Sequence, residues 1–362
     1  MHLDTADADE LIAALERLGV QSGTLVGLAL HGGVGAGLAV AEHTVSLDAP
    51  DPATALAPAL DALRPRLVWW GCDRSGGSEL IAGGVRPATS WDVAAVHRLL
   101  HGGWRADTAR VWAWLHGLDP ATIPALGQLD LLGSIGGDDG DPDQPVRPDG
   151  HLRPEWVGGG WQQSPTHLAR WAATALTASS LQMQRLAAVD VAGDPLATAR
   201  AESTIELLCA EMAHDGLPID IGVAEAIIAD SIGPRPRTAA DADATRAERD
   251  AAVLALLPHS GGLDLRSPAD VKSLLRRVGI DLPDTRAWRL EQLREVHPVV
   301  EALLTWRKAE RIATTFGYGW LDEHVRDGRL RGAWSGSDGA AGRMTAQAGL
   351  HNLPAELRPA VL

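Results

Sequence analysis

Residues 263–280 read LDLRSPADVKSLLRRVGI, residues 297–316 read HPVVEALLTWRKAERIATTF, and AGRMT (341–345) and LHNLP (350–354) complete the run. Ser267-Pro268 starts a helix, the serine as N-cap and the proline as first helical residue. In the second stretch Arg307 and Arg311 are four apart, so both face one side of a helix. The last two stretches form a glycine-supported turn presenting Arg343, then a polar corner at Asn352-Leu353-Pro354. A guanidinium on such a surface holds phosphate oxygens bidentately.

Charge favours an anion site in this part of the chain. Residues 255–362 carry 15 Lys and Arg against 13 Asp and Glu, a net of +2. Residues 1–254 carry 17 against 34, a net of −17. With −15 overall the chain is not coated in polyanion-binding surface, so a nucleic-acid site belongs in the C-terminal third. A length of 362 residues allows two or three domains, each with its own core. The hydrophobic share of 45% and mean hydropathy of −0.04 fit a soluble globular protein. Thirteen Trp against one Tyr and one Phe predict indoles in core positions. Lys272 and Lys308 are the only lysines among 32 basic residues. Cys72 and Cys209 alone make neither a disulfide framework nor a metal knuckle. The start, MHLDTADADEL, lacks the basic and apolar regions of a signal peptide. Leu25 to Val40 is broken by His31 and glycines and does not span a membrane. The expected location is cytoplasmic.

Along the rest of the chain, Leu11–Leu18 reads as a short amphipathic helix. Leu25–Leu30 and Gly37–Val40 read as strands joined through His31-Gly32-Gly33-Val34-Gly35. That loop is not GxGxxG opening a helix, so a hairpin turn is the better reading. Leu67–Trp70 is a strand, and Ser90–Leu100 is helical. His97 and His101, one turn apart, read as surface histidines because no third metal ligand lies near them in the pattern. The acidic run 136–150 imitates a calcium loop with Asp139, Asp141 and Asp143. It places Gln144 where glycine must turn and Gly150 where a bidentate Glu is needed, so it reads as a solvated, mobile loop. Pro165–Val189 is one long helix. A second helix, Leu196–Ala213, is closed by Gly216, with a domain boundary near Val191–Asp194.

The four opening stretches resemble, in order, three motifs of bacterial family A DNA polymerases of the DNA polymerase I type, the last two stretches together matching the third. These are the thumb segment NSPKQL, the helix HPIVELLLEYRELAKLKSTY, and TGRLSS…PNLQNIP at the start of the palm. Residues 206–220, ELLCAEMAHDGLPID, resemble the family's ELPVLAEMEATGIAVD. The resemblance implies an α/β ribonuclease H-like, 3′–5′ exonuclease-type domain over residues 1–192. A mainly helical thumb over 193–330 and the first strand of a truncated palm over 331–362 follow. It implies primer-template DNA as partner, held by Ser267, Arg307, Arg311, Thr315, Arg343 and Asn352, and a place in DNA replication or repair. Arg343 and Asn352 are one residue closer together than in the family. Gly349 and His351 replace its first Asn and its Gln, and Thr345-Ala346 replaces Ser-Ser.

Exonuclease chemistry of this type needs acids from three motifs to hold two metal ions. The resemblance puts the first motif on a strand ahead of LVGLAL, where residues 19–24 contain no acid. The second carboxylate position is Gly77. The third is Ala175, with Trp171 in the tyrosine's place, and Asp92 matches one further aspartate. No catalytic residue, metal or cofactor is therefore assigned; Mg²⁺ belongs to the complete family enzyme. The chain stops at Leu362, before the family's DYSQIELR and HDE carboxylate motifs and its fingers helix. Residues 359–362 read as a strand start without its partner. The chain is thus expected to bind DNA without extending a primer. The alternative is a non-enzymatic protein-interaction module with a vestigial thumb. Separately, the plain reading of Arg307 and Arg311 is that they pair with Glu301, Glu310 or Asp322 on a solvated helix.

Overall fold

The glycine-rich run does make a hairpin, and it lies at the centre of a sheet. The strands are β1 (His2–Asp4), β2 (Leu25–His31), β3 (Gly35–Val40), β4 (His43–Asp48), β5 (Arg66–Trp69) and β6 (Ser90–Asp92), in the order β1-β4-β3-β2-β5-β6. β2, β3 and β4 pair antiparallel, with His31 opposite Gly35 across the hairpin. β5 and β6 extend the sheet in parallel from β2, and β1 runs parallel to β4. The computed structural model describes residues 2–4, 8–125, 140–257, 262–338 and 342–362. Asp139 of the acidic run and Ala341 of the glycine-supported turn lie outside them.

Helices cover both faces of the sheet, which is why β2 and β3 read as unbroken apolar runs. α1 (Ala8–Arg17) and α2 (Pro52–Leu63) close one face over Leu28, Leu38 and Leu47. α3 (Gly77–Ala82) follows β5, and α4 (Val93–His101) and α5 (Thr108–His116) follow β6. α3 packs into the first core through Leu80 and Ile81, whereas α4 and α5, with α6 (Pro154–Val157) and α7 (Pro165–Ala187), enclose the second. Indoles fill it: Trp70, Trp91, Trp112, Trp156, Trp161 and Trp171 are all buried. α7 crosses β2, β3 and β4 at close range, because a Cβ at Gly27 or Gly37 would overlap the backbone of Ala172 or of Leu168 and Ala169. The result is the mixed sheet flanked by helices expected of a ribonuclease H-like domain, followed by a helical region.

Four local readings change. Residues 19–24 form no strand; β2 itself occupies the centre of the sheet. His97 is fully buried, because α4 turns that face onto Trp114 of α5 while His101, one turn on, stacks over its ring. The described part of the acidic run is tied down. Trp156 Nε1 donates to the Pro142 carbonyl (3.0 Å), Arg153 Nε to that of Gln144 (2.9 Å), and Arg170 to that of Asp143. The end of the chain does find a partner: Val361 bridges Ile219 antiparallel, and Asp220 N–H donates to the Ala360 carbonyl (2.8 Å).

The chain divides into two compact units, residues 1–215 with 333–345, and residues 216–332 with 346–362. α8 (Pro195–Asp215), which the sequence places after the boundary at 192, belongs with the sheet. Ser203 explains this: its Oγ accepts from Asp92 N–H (3.0 Å) and its carbonyl from Ser90 Oγ (3.2 Å), docking α8 along β6. In the second unit β7 (Leu217–Pro218), β8 (Val325–Arg326) and β9 (Arg329–Leu330) form a small sheet in the order β7-β9-β8. Around it stand α9 (Ile221–Ile232), α10 (Ala239–Leu254), α11 (Pro268–Arg277), α12 (Ala287–Glu291), α13 (Pro298–Thr315) and α14 (Tyr318–His324). α13 is the spine of this unit: Leu303 and Trp306 belong to one core, and Ile312 to the other. β10 (Trp334–Asp338) and β11 (Arg343–Ala346) form a separate two-stranded sheet.

Candidate nucleic-acid interface

α13 is opened by its cap and held by its apolar face. His297 Nδ1 accepts from Val299 N–H (3.2 Å), Pro298 takes the first turn, and Val299, Val300, Leu303, Leu304, Trp306 and Ile312 are buried. The spacing of four then lines up Arg307, Arg311 and Thr315 on a face that borders a cleft against Leu265 and Pro268 of α11. Ser267, next to Pro268, caps α11 as read, its Oγ accepting from Asp270 N–H at 3.3 Å.

Two further clefts continue the first. One shares Pro268 with it and holds Lys272, Thr285 and Arg286; the other shares Arg311 and holds Lys308, Asn352 and Arg358. Arg307 joins the first pair by donating to the carbonyl and, at 3.1 Å, to the Oγ1 of Thr285. Half-buried there, its guanidinium is pulled below its ordinary pKa by loss of hydration. Arg311 is exposed and donates to the Asn352 carbonyl (2.6 Å). Lys272 donates to that of Pro283 (3.1 Å). All three cations hydrogen-bond neutral oxygens and form no ion pair among the described residues, although the Lys272 charge also acts on Asp281, which Arg276 holds.

The acids expected to pair with Arg307 and Arg311 hold other arginines. Glu310 receives Arg266 (2.6 Å) and Arg249 (3.5 Å), Glu301 receives Arg294 (3.2 Å), and Asp322 receives Arg235 (2.8 Å). Arg266 also reaches Asp250 (2.7 Å), which accepts from Trp306 Nε1 (2.8 Å). Burial alone would lower the Arg266 pKa, but the hydrogen bonds to Asp250 and Glu310 outweigh it and raise it. This network fixes α10, the start of α11 and α13, and its Arg266, Trp306 and Glu310 form part of the cleft wall.

Of the six residues singled out in the sequence, Ser267, Arg307, Arg311, Thr315 and Asn352 lie in the second unit along these clefts or beside them. Arg343 is exposed on β11 and belongs to the first unit. Sequence reading missed Lys272, Arg286, Lys308 and Arg358. The composition did carry a signal for two of them, since the chain's only lysines both line this surface.

In the first unit, the positions assigned to exonuclease metal ligands do not fit metal ions. Gly77 opens α3 where a Cβ would press on the carbonyl and sulfur of Cys72, and Ala175 is buried on α7 near the indole core. Asp92 is buried, accepts from Cys72 N–H and Ala95 N–H (both 2.8 Å), and caps α4. Among the described residues no three His, Cys, Asp or Glu side chains converge as metal ligands, and no helix is long and apolar enough to cross a membrane.

No protein-family model matches the sequence, and no curated protein does. Among solved structures, the chain is similar to the POL domain of Pol1 from M. smegmatis in complex with DNA primer-template and dNTP. The TM-score is 0.59 at 20% sequence identity, covering 99% of this chain and 58% of that one. The chain therefore spans a little over half the length of that domain, and over that span the two share a fold.

Proposed function

We propose that the chain is a distant member of the family A DNA polymerases and that its second unit grips the sugar-phosphate backbone of primer-template DNA. The observation that carries this is the run of three clefts along α11 and α13 whose cations, Lys272, Arg307 and Arg311, spend their hydrogen bonds on neutral oxygens. A phosphate entering the cleft meets positive charge already oriented, with little ordering left to cost. Thr315, Ser267 and Asn352 add neutral donors, and Arg343, on the first unit, is assigned a phosphate contact of its own. Such contacts position a strand without reading its sequence. The likeness to a DNA-bound polymerase domain supports this partner, and the resemblance of the α11 and α13 sequences to thumb motifs supports the region.

The contribution we assign is binding, with the sheet and α8 as an exonuclease-like scaffold, the helical region from Gly216 to Leu330 as thumb and residues 331–362 as the start of a palm. The test is primer-template affinity of the purified chain across a salt series. Arg311→Ala should weaken binding several-fold and make the slope of log K against log salt shallower by about 0.7–0.9. Arg307→Ala should do the same while also freeing the loop at Thr285. No binding at low salt would sink this reading and leave the protein-interaction module in its place. Primer extension by the chain alone would overturn the restriction to binding.

A further inference from the structure

Trp288 lies on α12 with half its surface open to water, whereas Leu290, two residues on, is fully buried and anchors the helix to the core beside α13. The Arg289 guanidinium lies 4.2 Å from the Trp288 ring centroid. Arg289 and Arg286 share a single carboxylate, Asp284, at 3.2 and 3.8 Å, so one positive charge beside the ring is left over. Asp284 and Arg286 line the same cleft as Lys272. The loop leading to α12 is held at Pro283 by Lys272 and at Thr285 by Arg307. An indole on a fixed mount, with cations around it and a basic cleft beside it, is prepared to receive a flat, anionic ligand.

We propose that Trp288, flanked by Arg286 and Arg289, is a stacking platform for an unpaired base of a nucleic-acid strand whose backbone follows the cleft past Lys272. This rests on reading the clefts as a phosphate track. The surrounding charge selects a polyanion over an apolar protein surface. With Arg289 over the ring at 4.2 Å, the exposed half of Trp288 selects a single strand over a duplex, because paired bases already bury their faces against each other while an unpaired base offers its own. Stacking on an aromatic ring is indifferent to base identity, as is backbone contact.

The test is fluorescence anisotropy at low salt with two labelled probes, a single-stranded oligothymidine and a blunt, fully paired duplex. Trp288→Ala should weaken the single strand by about 5- to 100-fold and change the duplex by less than about twofold, with Trp288→Phe keeping most of the single-strand affinity. Arg311→Ala should weaken both probes. Unchanged single-strand affinity in Trp288→Ala overturns the platform while the phosphate track stands, and so does an equal loss on both probes. If the parent chain binds neither probe, the phosphate track fails and the platform with it.

Discussion

Asp92 shows how one side chain ties two elements together at an electrostatic cost. It ends β6, caps α4, and accepts from the Cys72 and Ala95 N–H groups at 2.8 Å, with 2% of its surface exposed. Burial, then the nearby Glu206 charge, push its pKa up to about 6. A carboxyl raised in the folded state stabilises fully below its unfolded pKa, and that contribution is lost as pH rises through about 6. A shift of this size corresponds to about 3 kcal/mol. Asp92→Asn keeps a good cap but cannot ionise. In urea denaturation at a series of pH values, its stability relative to the parent should therefore improve between pH 4 and 6 and then level off; a difference independent of pH would refute this. His97 works in the opposite direction. Burial and then the His101 charge lower its pKa to about 4, so the fold loses stability as pH falls from the ordinary histidine value toward 4. His97→Phe, similar in shape and without a charge, should lose less stability than the parent on acidification over that window.

At the scale of elements, the approach of α7 to the sheet depends on two glycines. Gly27 and Gly37 leave room where a methyl group would overlap helix backbone, and helix backbone cannot move aside as a side chain can. Gly37→Ala should therefore destabilise the first unit by about 3 kcal/mol or more, measured by chemical denaturation. Gly319, inside α14, has open space around its missing Cβ and needs no left-handed backbone. Gly319→Ala should instead stabilise by about 0.5–1 kcal/mol. Equal effects from the two substitutions would show that the close packing of α7 is not what Gly37 provides. The helix was legible in its own periodicity, and so were the strands. Which residues make the contact was not, because a glycine within a strand looks the same whether it faces a helix or water.

Over the whole molecule, charge separates what the chain can hold from what it repels. The first 254 residues carry a net of −17, so cations there that donate to neutral oxygens, such as Arg170 and Arg185, stand in an acidic surrounding, whereas Lys272, Arg307 and Arg311 lie in the part of the chain with a net of +2. Long-range attraction of a polyanion is therefore weak and local contacts must supply most of the affinity. With about two to four phosphates engaged, log K should fall against log salt with a slope of about −2 to −4, read from the same titrations that test Arg311→Ala. A salt-independent affinity would mean that DNA is not held through its backbone. The division into two units also reassigns α8 to the sheet, through Ser203 and Leu207.

Short-range pattern was enough for everything that a few neighbouring residues decide. Ser267 caps α11, Gly216 ends α8 at a φ of +65°, the hairpin turns at its glycines, and Arg307, Arg311 and Thr315 share a helix face. Packing decided the rest. Arg307 bonds Thr285, 22 positions away, and not an acid on its own helix; His97 turns inward; residues 358–362 find Ile219 and Asp220. Periodicity records which face of an element is buried, but which group a long side chain meets depends on the element folded against it, and that information lies elsewhere in the chain.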